Sequence, residues 1–256
     1  MGKIYGREAF LMAIVYFSLL FSPLGNAAQE KEPPKTKLPK WTQYYYDRVA
    51  LFEKENAGLR EAKGRNIILL GDSLTEGFVA DTYLPGYRIL NRGIVADHVG
   101  MGKTGVLRRL QPSVFDCYPS DVFLMIGVND LGDDCSTASI RRVASCYREV
   151  CRTIRSQAPG VNLYLESCLP TSKKYVRLNP AIRALNGQIR QIAADLDLTY
   201  IDLHALMVDE KGELKKEFTR EGLHLTPAAY KVWAKALEPY LPSTMGTKRT
   251  GMPSSR

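Results

Sequence analysis

The stretch NIILLGDSLTEG (residues 66–77) joins a continuous apolar run to a serine flanked by polar residues. Four further apolar runs follow along the chain: YRILN (87–91), DVFLMIG (121–127), VNLYLES (161–167) and LTYIDL (198–203). Helical patterns separate most of these runs, and near-continuous apolar strands that alternate with helices are typical of a parallel sheet covered on both faces. The sequence therefore predicts a three-layer α/β/α sandwich around a five-stranded parallel sheet.

Segments at both ends of the chain are predicted to lie outside this domain. Residues 1–27 contain the apolar stretch AFLMAIVYFSLLF between basic and small residues, which is the pattern of a cleavable secretory signal peptide. This stretch is shorter than the roughly 20 residues of a membrane span, although an uncleaved anchor stays open. Residues 28–40 predict an extended tether and residues 242–256 a disordered tail. Residues 41–241 then form the folded domain of a secreted or periplasmic protein, without stable membrane insertion after cleavage.

The formal net charge of +8 does not by itself identify a partner. Basic charge favours nucleic acid, anionic glycans or membrane surfaces only where it is clustered. The basic clusters here are short, such as the arginine pairs at 108–109 and 141–142, and aromatic residues do not interleave them. We therefore expect a solvated basic surface and no nucleic-acid partner.

Cysteine and histidine usage limits disulfides and metal sites. The five cysteines are Cys117, Cys135, Cys146, Cys151 and Cys168. In an exported protein they permit up to two disulfides, and the sequence leaves their pairing open. Close CxxC pairs are absent from the sequence and it has three histidines, so we expect neither a structural metal nor a cofactor.

Ser73 admits two interpretations. Ser73 and Glu76 have the spacing of a capping box, in which the two side chains bind the first amides of a helix. Ser73 also follows the first predicted strand, and open α/β sheets bind ligands beyond the carboxyl ends of their strands. We expect Ser73 to open a helix and to act as a nucleophile at the same time.

Further short stretches at other strand ends supply the remaining parts of an acyl-transfer site. A serine nucleophile needs a base, and the base needs an orienting partner on its other nitrogen. His224 in EGLHL is the candidate base, and Glu221 is the candidate orienting carboxylate. The amides of Ser73 and Gly93, with the side chain of Asn129, are candidate donors for an oxyanion hole.

Each of these residues also has a purely structural interpretation. Gly93 could serve a turn, and Asn129 could close an Asx turn after its strand. His224 could be a structural histidine before the last helix, and Glu221 could be a surface charge. The joint occurrence of all the parts, in order and at successive strand ends, favours the catalytic interpretation.

The stretches GDSLTEG, NRGI, GVND and EGLHLTPAAY resemble the four sequence blocks of the SGNH, or GDSL, hydrolases. The resemblance covers residues 44–241. Within this range, FLMIGVNDL and LYLESCLP also resemble the secreted branch related to platelet-activating-factor acetylhydrolases and carbohydrate acetylesterases. It implies a flavodoxin-like sandwich, Ser73 as nucleophile, His224 as base, and an oxyanion hole of Ser73, Gly93 and Asn129. Two positions depart from the family pattern, because relatives usually carry aspartate at Glu221 and often carry glycine at Ala96.

The expected function is a secreted serine esterase that hydrolyses short acyl esters, foremost acetyl esters on carbohydrates, through an acyl-enzyme. The expected partner is a small-molecule or glycan ester, and the sequence leaves the oligomeric state open. A lysophospholipase or other lipid-ester hydrolase and a thioesterase share the same residues and stay open as alternatives. A non-catalytic carbohydrate-binding protein is the alternative from a different class.

Overall fold

The computed structural model describes residues 38–59, 66–100, 102–132 and 134–242. The predicted signal peptide and most of the predicted tether lie outside these residues, as does the predicted tail beyond Pro242. The first helix begins at Lys40, one residue before the predicted start of the domain.

Five parallel strands form one sheet in the order β2-β1-β3-β4-β5. The strands are β1 (Asn66–Gly71), β2 (Ile89–Gly93), β3 (Pro119–Met125), β4 (Asn162–Glu166) and β5 (Thr199–Ile201). Each of the apolar runs in the sequence contributes one strand, which confirms the predicted sheet.

Helices connect the strands and cover both faces of the sheet. Within the described residues they are α1 (Lys40–Asn56), α2 (Ser73–Glu76), α3 (Ala80–Tyr83), α4 (Leu110–Ser113), α5 (Val128–Leu131), α6 (Thr137–Gln157), α7 (Asn179–Asp195), α8 (Leu203–Met207) and α9 (Pro227–Leu237). None of them is both long enough and apolar enough to cross a membrane.

Alternate residues of β1 point to opposite layers of the sandwich. Ile68 and Leu70 belong to the hydrophobic cluster that contains the buried faces of α6 and α7. Ile67 and Leu69 belong to a second cluster, which contains Trp233 of α9. Because both faces of the strand are buried, its sequence is apolar at consecutive positions rather than at every second one.

Helix α1 packs away from these two clusters, beside the segment that follows β2. Its residues Tyr45 and Phe52 form a small hydrophobic cluster with Ile94. The Tyr45 hydroxyl donates a hydrogen bond to the Gly105 carbonyl at 3.0 Å, so α1 is attached to the loop beyond β2 as well as to the core.

All five cysteines are free thiols, so the disulfides that the sequence permits do not form. Cys117 lies against the side chain of Asn56, and Cys168 lies against the carbonyl of Ile126. Cys151 is buried in α6. These three thiols occupy separate positions in the core, where each packs as a small apolar side chain.

Candidate active site

The carboxyl ends of three neighbouring strands bring the candidate residues to one edge of the sheet. Gly71 at the end of β1 is paired with Gly93 of β2 and with Met125 of β3. Ser73 follows β1 by two residues, and Asn129 lies in α5 just after β3. The topology therefore places three of the predicted site residues at adjacent strand ends.

Ser73, His224 and Glu221 form a connected series of hydrogen-bonding groups. His224 Nε2 lies 3.2 Å from Ser73 Oγ. On the other side of the ring, His224 Nδ1 lies 2.6 Å from Glu221 Oε1. The same carboxylate oxygen accepts the His224 backbone N–H at 2.6 Å. The contact between positions 73 and 224 joins residues that are 151 positions apart in the sequence.

The structure corrects the capping-box prediction. The residue that caps α2 is Asp72, whose side chain accepts the Leu74 N–H at 2.9 Å, and Ser73 is the first residue inside the helix. The carboxylate of Glu76 accepts the Val95 N–H at 2.6 Å instead of binding a helix-terminal amide. The Ser73 hydroxyl is thereby left to His224, and the Ser73 N–H, at the start of the helix, has no acceptor within the helix.

The backbone beneath Ser73 is closely packed, and this explains the glycines around it. A Cβ on Gly71 would lie 2.2 Å from Thr75 Oγ1, and a Cβ on Gly93 would lie 2.1 Å from the Glu76 backbone nitrogen. Both distances are shorter than any real carbon contact, so these positions require glycine for close approach of the chains.

A buried arginine links the ends of β1 and β2 under the site. The Arg109 guanidinium donates to the Gly71 carbonyl at 2.9 Å and to the Arg92 carbonyl at 2.8 Å. It also forms an ion pair with Asp97 at 2.7 Å, in which both side chains are almost fully buried. Removing one partner of a buried pair leaves the other charge uncompensated, so this pair helps to fix the strand ends in one arrangement.

Burial dominates the electrostatics of the carboxyl groups near the serine. It raises the pKa of Asp72 to about 7, although the hydrogen bond from Leu74 opposes the shift. Burial likewise raises the pKa of Asp130 to about 7, against the hydrogen bond that its carboxylate accepts from the Val99 N–H. The pKa of Asp97 is also raised by burial, and the Arg109 charge partly offsets the effect.

A short loop before α9 carries the candidate base and its carboxylate. Gly222, between Glu221 and His224, has a φ of +108°, and a Cβ there would lie 2.2 Å from the Ser172 carbonyl oxygen. The Gly222 carbonyl accepts the Ser172 N–H at 2.8 Å. The loop is therefore fixed by its backbone, whereas the side chains of His224 and Glu221 are 55% and 41% exposed.

The helix after this loop begins as predicted in one respect and not in another. Pro227 occupies the first position of α9, as expected. Thr226 stands at the N-cap position, but its hydroxyl donates to the Glu217 carbonyl at 2.8 Å rather than capping the helix. This hydrogen bond attaches the start of α9 to the preceding segment.

The candidate oxyanion donors differ in their availability. The Asn129 side-chain amide donates one hydrogen bond to the Asp97 carbonyl at 2.9 Å, so it reaches the segment after β2 and does not close a local Asx turn. The Gly93 N–H is already donated to Asn91 Oδ1 at 2.9 Å. This geometry does not leave Gly93 as a free donor and gives the glycine a packing role instead.

Ala96, which in the sequence is only a departure from the family pattern, has a special backbone conformation in the structure. Its φ is +59°, in the left-handed region that glycine adopts most easily. Its N–H has no hydrogen-bond acceptor within the described part of the chain, and it directly precedes Asp97, whose carbonyl binds Asn129. The preference of relatives for glycine at this position was the sequence signal for this conformation.

Comparisons with known proteins agree with this architecture. A model of the GDSL-like lipase/acylhydrolase family matches residues 69–232, which confirms the family resemblance of the four sequence blocks. A comparison with curated protein sequences gave no match.

Solved structures with the same fold were found at low sequence identity. One is from Streptococcus pneumonia and is named after platelet activating factor: it shares 23% identity over 78% of this chain and 94% of its own, with a TM-score of 0.69. A GDSL-like lipase from Bacteroides thetaiotaomicron shares 19% identity over 75% of this chain and 96% of its own, with a TM-score of 0.65. An acetyl xylan esterase shares 18% identity over 69% of this chain and 100% of its own, with a TM-score of 0.57. At these identities the likeness establishes the α/β fold.

Proposed function

Because the chain belongs to the GDSL-like lipase/acylhydrolase family and is an ester hydrolase, we propose that Ser73 is its nucleophile, His224 its general base and Glu221 the carboxylate that orients the base. The observation that carries this proposal is the continuous contact from Ser73 Oγ through both ring nitrogens of His224 to Glu221. A surface histidine or a helix cap would not require this arrangement.

The proposed reaction has two steps. In the first, His224 Nε2 takes the Ser73 proton while Oγ attacks the ester carbonyl, and the protonated ring then gives that proton to the leaving alcohol. In the second, water attacks the acyl-serine, His224 accepts the water proton, and the proton returns to Ser73 as the acid leaves. The net reaction consumes one ester and one water and releases one alcohol and one acid.

For the oxyanion hole we propose the Ser73 N–H, the Asn129 side-chain amide and the Ala96 N–H. The first has no acceptor within its helix, and the second has a further N–H besides the one bound to Asp97. The Ala96 N–H takes the place of the Gly93 N–H that the sequence predicted, because the Gly93 N–H already donates a hydrogen bond to Asn91. Donors aimed at the developing negative charge contribute most when they are fixed before the reaction.

Glu221 is proposed to do the work that aspartate does in relatives. One carboxylate oxygen, Oε1, accepts the backbone N–H of His224 and also lies within hydrogen-bond distance of the ring nitrogen Nδ1, so two groups of His224 hold the longer side chain. The ring of His224 is thereby fixed with Nδ1 toward the carboxylate and Nε2 toward Ser73, which is the orientation that a general base requires.

The proposed substrate is a short acyl ester of a polar alcohol, with an acetylated glycan as the preferred class. One structural neighbour is an acetyl xylan esterase, and its substrate class is carried to this chain only as a proposal.

A groove beside the base loop supports the proposal that the alcohol part of the substrate is polar. It has a volume of about 610 Å³, is lined by four lysines and four acidic residues, and includes Ser172, which is bound to Gly222 of the base loop. Hydrogen-bonding side chains of both signs suit an uncharged, hydroxyl-rich group such as a sugar better than a lipid chain.

Secretion is proposed from the sequence pattern of residues 1–27, which lie outside the described residues. The free thiols neither require nor exclude this location, because Cys117, Cys151 and Cys168 are buried. Burial raises the pKa of Cys151 to about 12 and suppresses the thiolate that would form a disulfide.

The first test is ester hydrolysis by the purified protein and by two serine variants. Substrates are the acetyl, butyryl and octanoyl esters of p-nitrophenol, an acetylated xylo-oligosaccharide and a lysophospholipid. We expect turnover to fall with acyl length, and Ser73→Ala to lose at least about 10³-fold in kcat. The exposed Ser156 provides the matched control, and Ser156→Ala should retain full activity. Equal rates for Ser73→Ala and the unaltered protein would overturn the nucleophile assignment, and faster hydrolysis of the lysophospholipid would overturn the substrate class.

A further inference from the structure

Helix α1 precedes the region matched by the family model, yet it contacts the catalytic edge of the sheet through Glu76. The Tyr44 hydroxyl donates to Glu76 Oε1 at 2.5 Å, and Arg48 Nε lies 3.5 Å from the same oxygen. The other carboxylate oxygen, Oε2, accepts the Val95 N–H at 2.6 Å. Glu76 thus connects two side chains of α1 to the backbone of the segment after β2.

This segment, residues 94–97, contains one proposed oxyanion donor and the carbonyl group that holds the side chain of another. Val95 is followed directly by Ala96, whose N–H is the proposed oxyanion donor. The carbonyl of Asp97 accepts the side-chain N–H of Asn129, the other proposed donor. A displacement of Val95 would therefore shift one donor directly and alter the hydrogen bond that supports the second.

Helix α1 makes three further contacts with this segment and with the end of β2 that leads into it. Ile94 is fully buried against Tyr45 and Phe52 of α1. Arg92, in β2 just before the segment, donates hydrogen bonds to Glu55 at 2.6 Å and to Asn56 at 2.9 Å. The contacts are distributed along the helix, so α1 holds the segment over several turns rather than through a single contact.

The Tyr44–Glu76 hydrogen bond is partly shielded from solvent, which makes it a defined contact. The Glu76 side chain is 18% exposed and the Arg48 side chain 23%. The hydrogen bond to Glu76 raises the pKa of Tyr44 above its ordinary value, so the hydroxyl remains a donor throughout the neutral range. A carboxylate that accepts two hydrogen bonds and lies beside an arginine charge is fixed in position more firmly than one exposed to water.

We propose that α1 is a positioning element of the active site, and that Tyr44 and Glu76 are positioning residues that hold residues 94–97 in the conformation that presents the oxyanion donors. This inference rests on the proposed esterase function for its effect on rate. Its structural part, the ordering of residues 94–97 by Tyr44, is independent of any substrate.

The test compares Tyr44→Phe with Tyr46→Phe in the full protein. Tyr46 lies two residues after Tyr44 on α1, is exposed, and has no hydroxyl hydrogen bond within the described residues, so its variant controls for loss of a tyrosine hydroxyl on this helix. For acetyl ester hydrolysis, we expect Tyr44→Phe to lose about 10-fold in kcat with KM changed less than about twofold, because misplaced donors weaken only the transition state. Tyr46→Phe should match the unaltered protein in both constants.

Glu76→Gln extends the test to the second residue of the contact. The oxygen of the glutamine amide can still accept the Val95 N–H, but its NH2 group then faces the donor Arg48. We therefore expect a larger loss of kcat than for Tyr44→Phe, about 30-fold or more. In the double variant with Tyr44→Phe, the two losses should not multiply, because both act through the same hydrogen bond. Fully multiplicative losses would overturn the proposed shared contact.

Amide hydrogen exchange over residues 93–97 provides the readout that does not depend on catalysis. We expect faster exchange in this segment for Tyr44→Phe and Glu76→Gln, and none of this change for Tyr46→Phe. If the protein hydrolyses no ester, the proposed function fails while this exchange result still decides the positioning role. Unchanged exchange in both variants would overturn the proposal, whatever the rates, as would a loss that appears in KM alone.

Discussion

The proposed nucleophile and the proposed base belong to two regions that are held in place by different means. Around Ser73 the structure is buried: Gly71 and Gly93 allow backbone to approach backbone, and Arg109 binds both strand ends from within the core. Around His224 the side chains are about half exposed, and the loop is held through Gly222 and its contact with Ser172.

The difference indicates where the site tolerates sequence change. The nucleophile region depends on close packing, so an added carbon atom displaces backbone. The base region depends on a few directed hydrogen bonds, and solvent accommodates a longer side chain. The replacement of the usual aspartate by Glu221 falls in the base region, where one carboxylate oxygen still reaches both the ring and the backbone of His224.

The largest expected effect comes from two variants of Glu221, one that removes its charge and one that shortens its side chain. We expect Glu221→Gln to lower kcat/KM for acetyl esters by about 10³-fold, because an amide can donate to Nδ1 and hold the ring in the wrong tautomer. Glu221→Asp keeps the charge and should lose less than about 10-fold. The exposed Glu149 provides a matched control, and Glu149→Gln should show no loss. A Glu221→Gln enzyme with nearly full activity would show that His224 needs no oriented partner here.

The second prediction tests close packing in the nucleophile region. Gly93→Ala should lower the free energy of unfolding by about 2 kcal/mol, because the added Cβ would displace the Glu76 backbone. Gly187 in α7 has open space at its Cβ position, and Gly187→Ala should raise stability by up to about 1 kcal/mol. Urea unfolding of both variants measures these changes. Equal stability of the Gly93 variant and the unaltered protein would contradict the packing account.

The smallest expected effect concerns the buried hydrogen bond between Trp233 of α9, the helix after the base loop, and Glu166. Trp233 of α9 donates to Glu166 Oε1 at 2.6 Å, and burial raises the pKa of Glu166 from 4.5 to about 8. The folded protein therefore binds a proton at Glu166 that the unfolded chain releases above pH about 4.5, so this contribution to stability falls as the pH rises toward 8.

Glu166→Gln removes this proton linkage while keeping an acceptor for Trp233. Relative to the unaltered protein, the variant should gain at least about 1 kcal/mol in the free energy of unfolding between pH 5 and pH 8. Denaturant titrations at the two pH values measure the difference, in which the parallel contributions of Asp72 and Asp130 cancel. A constant difference between the two proteins would show that Glu166 does not change its protonation on unfolding.

The sequence predicted those parts of the molecule that depend on a local sequence pattern. Continuous apolar runs identified the five strands of the described residues, and Ser73 and His224 were found because each stands next to a predicted element boundary. Ser73 lies at the carboxyl end of β1, where open α/β sheets bind ligands. His224 lies well beyond β5, in the loop before α9 and not at a strand end, so its contact with Ser73 depends on how that loop folds.

Contacts between distant positions were beyond the sequence pattern. The Ser73 and Glu76 spacing predicted a capping box, but the cap depends on the backbone conformation of Asp72, and Glu76 bonds to Tyr44 and Val95 instead. No local pattern indicates that Arg109 lies under the serine. Disulfide pairing was left open, because the distances between the cysteines, which decide it, are a property of the folded chain.

The most direct test of the central claim is covalent labelling of the protein by a small fluorophosphonate, with the adduct located by mass spectrometry. The phosphorus atom is attacked as an ester carbonyl would be, and fluoride leaves, so only an activated serine reacts quickly. We predict one adduct per chain, on Ser73, with labelling abolished in His224→Ala. An enzyme that hydrolyses acetyl esters while Ser73 stays unlabelled, or that is labelled equally well without His224, would contradict the assignment of nucleophile and base.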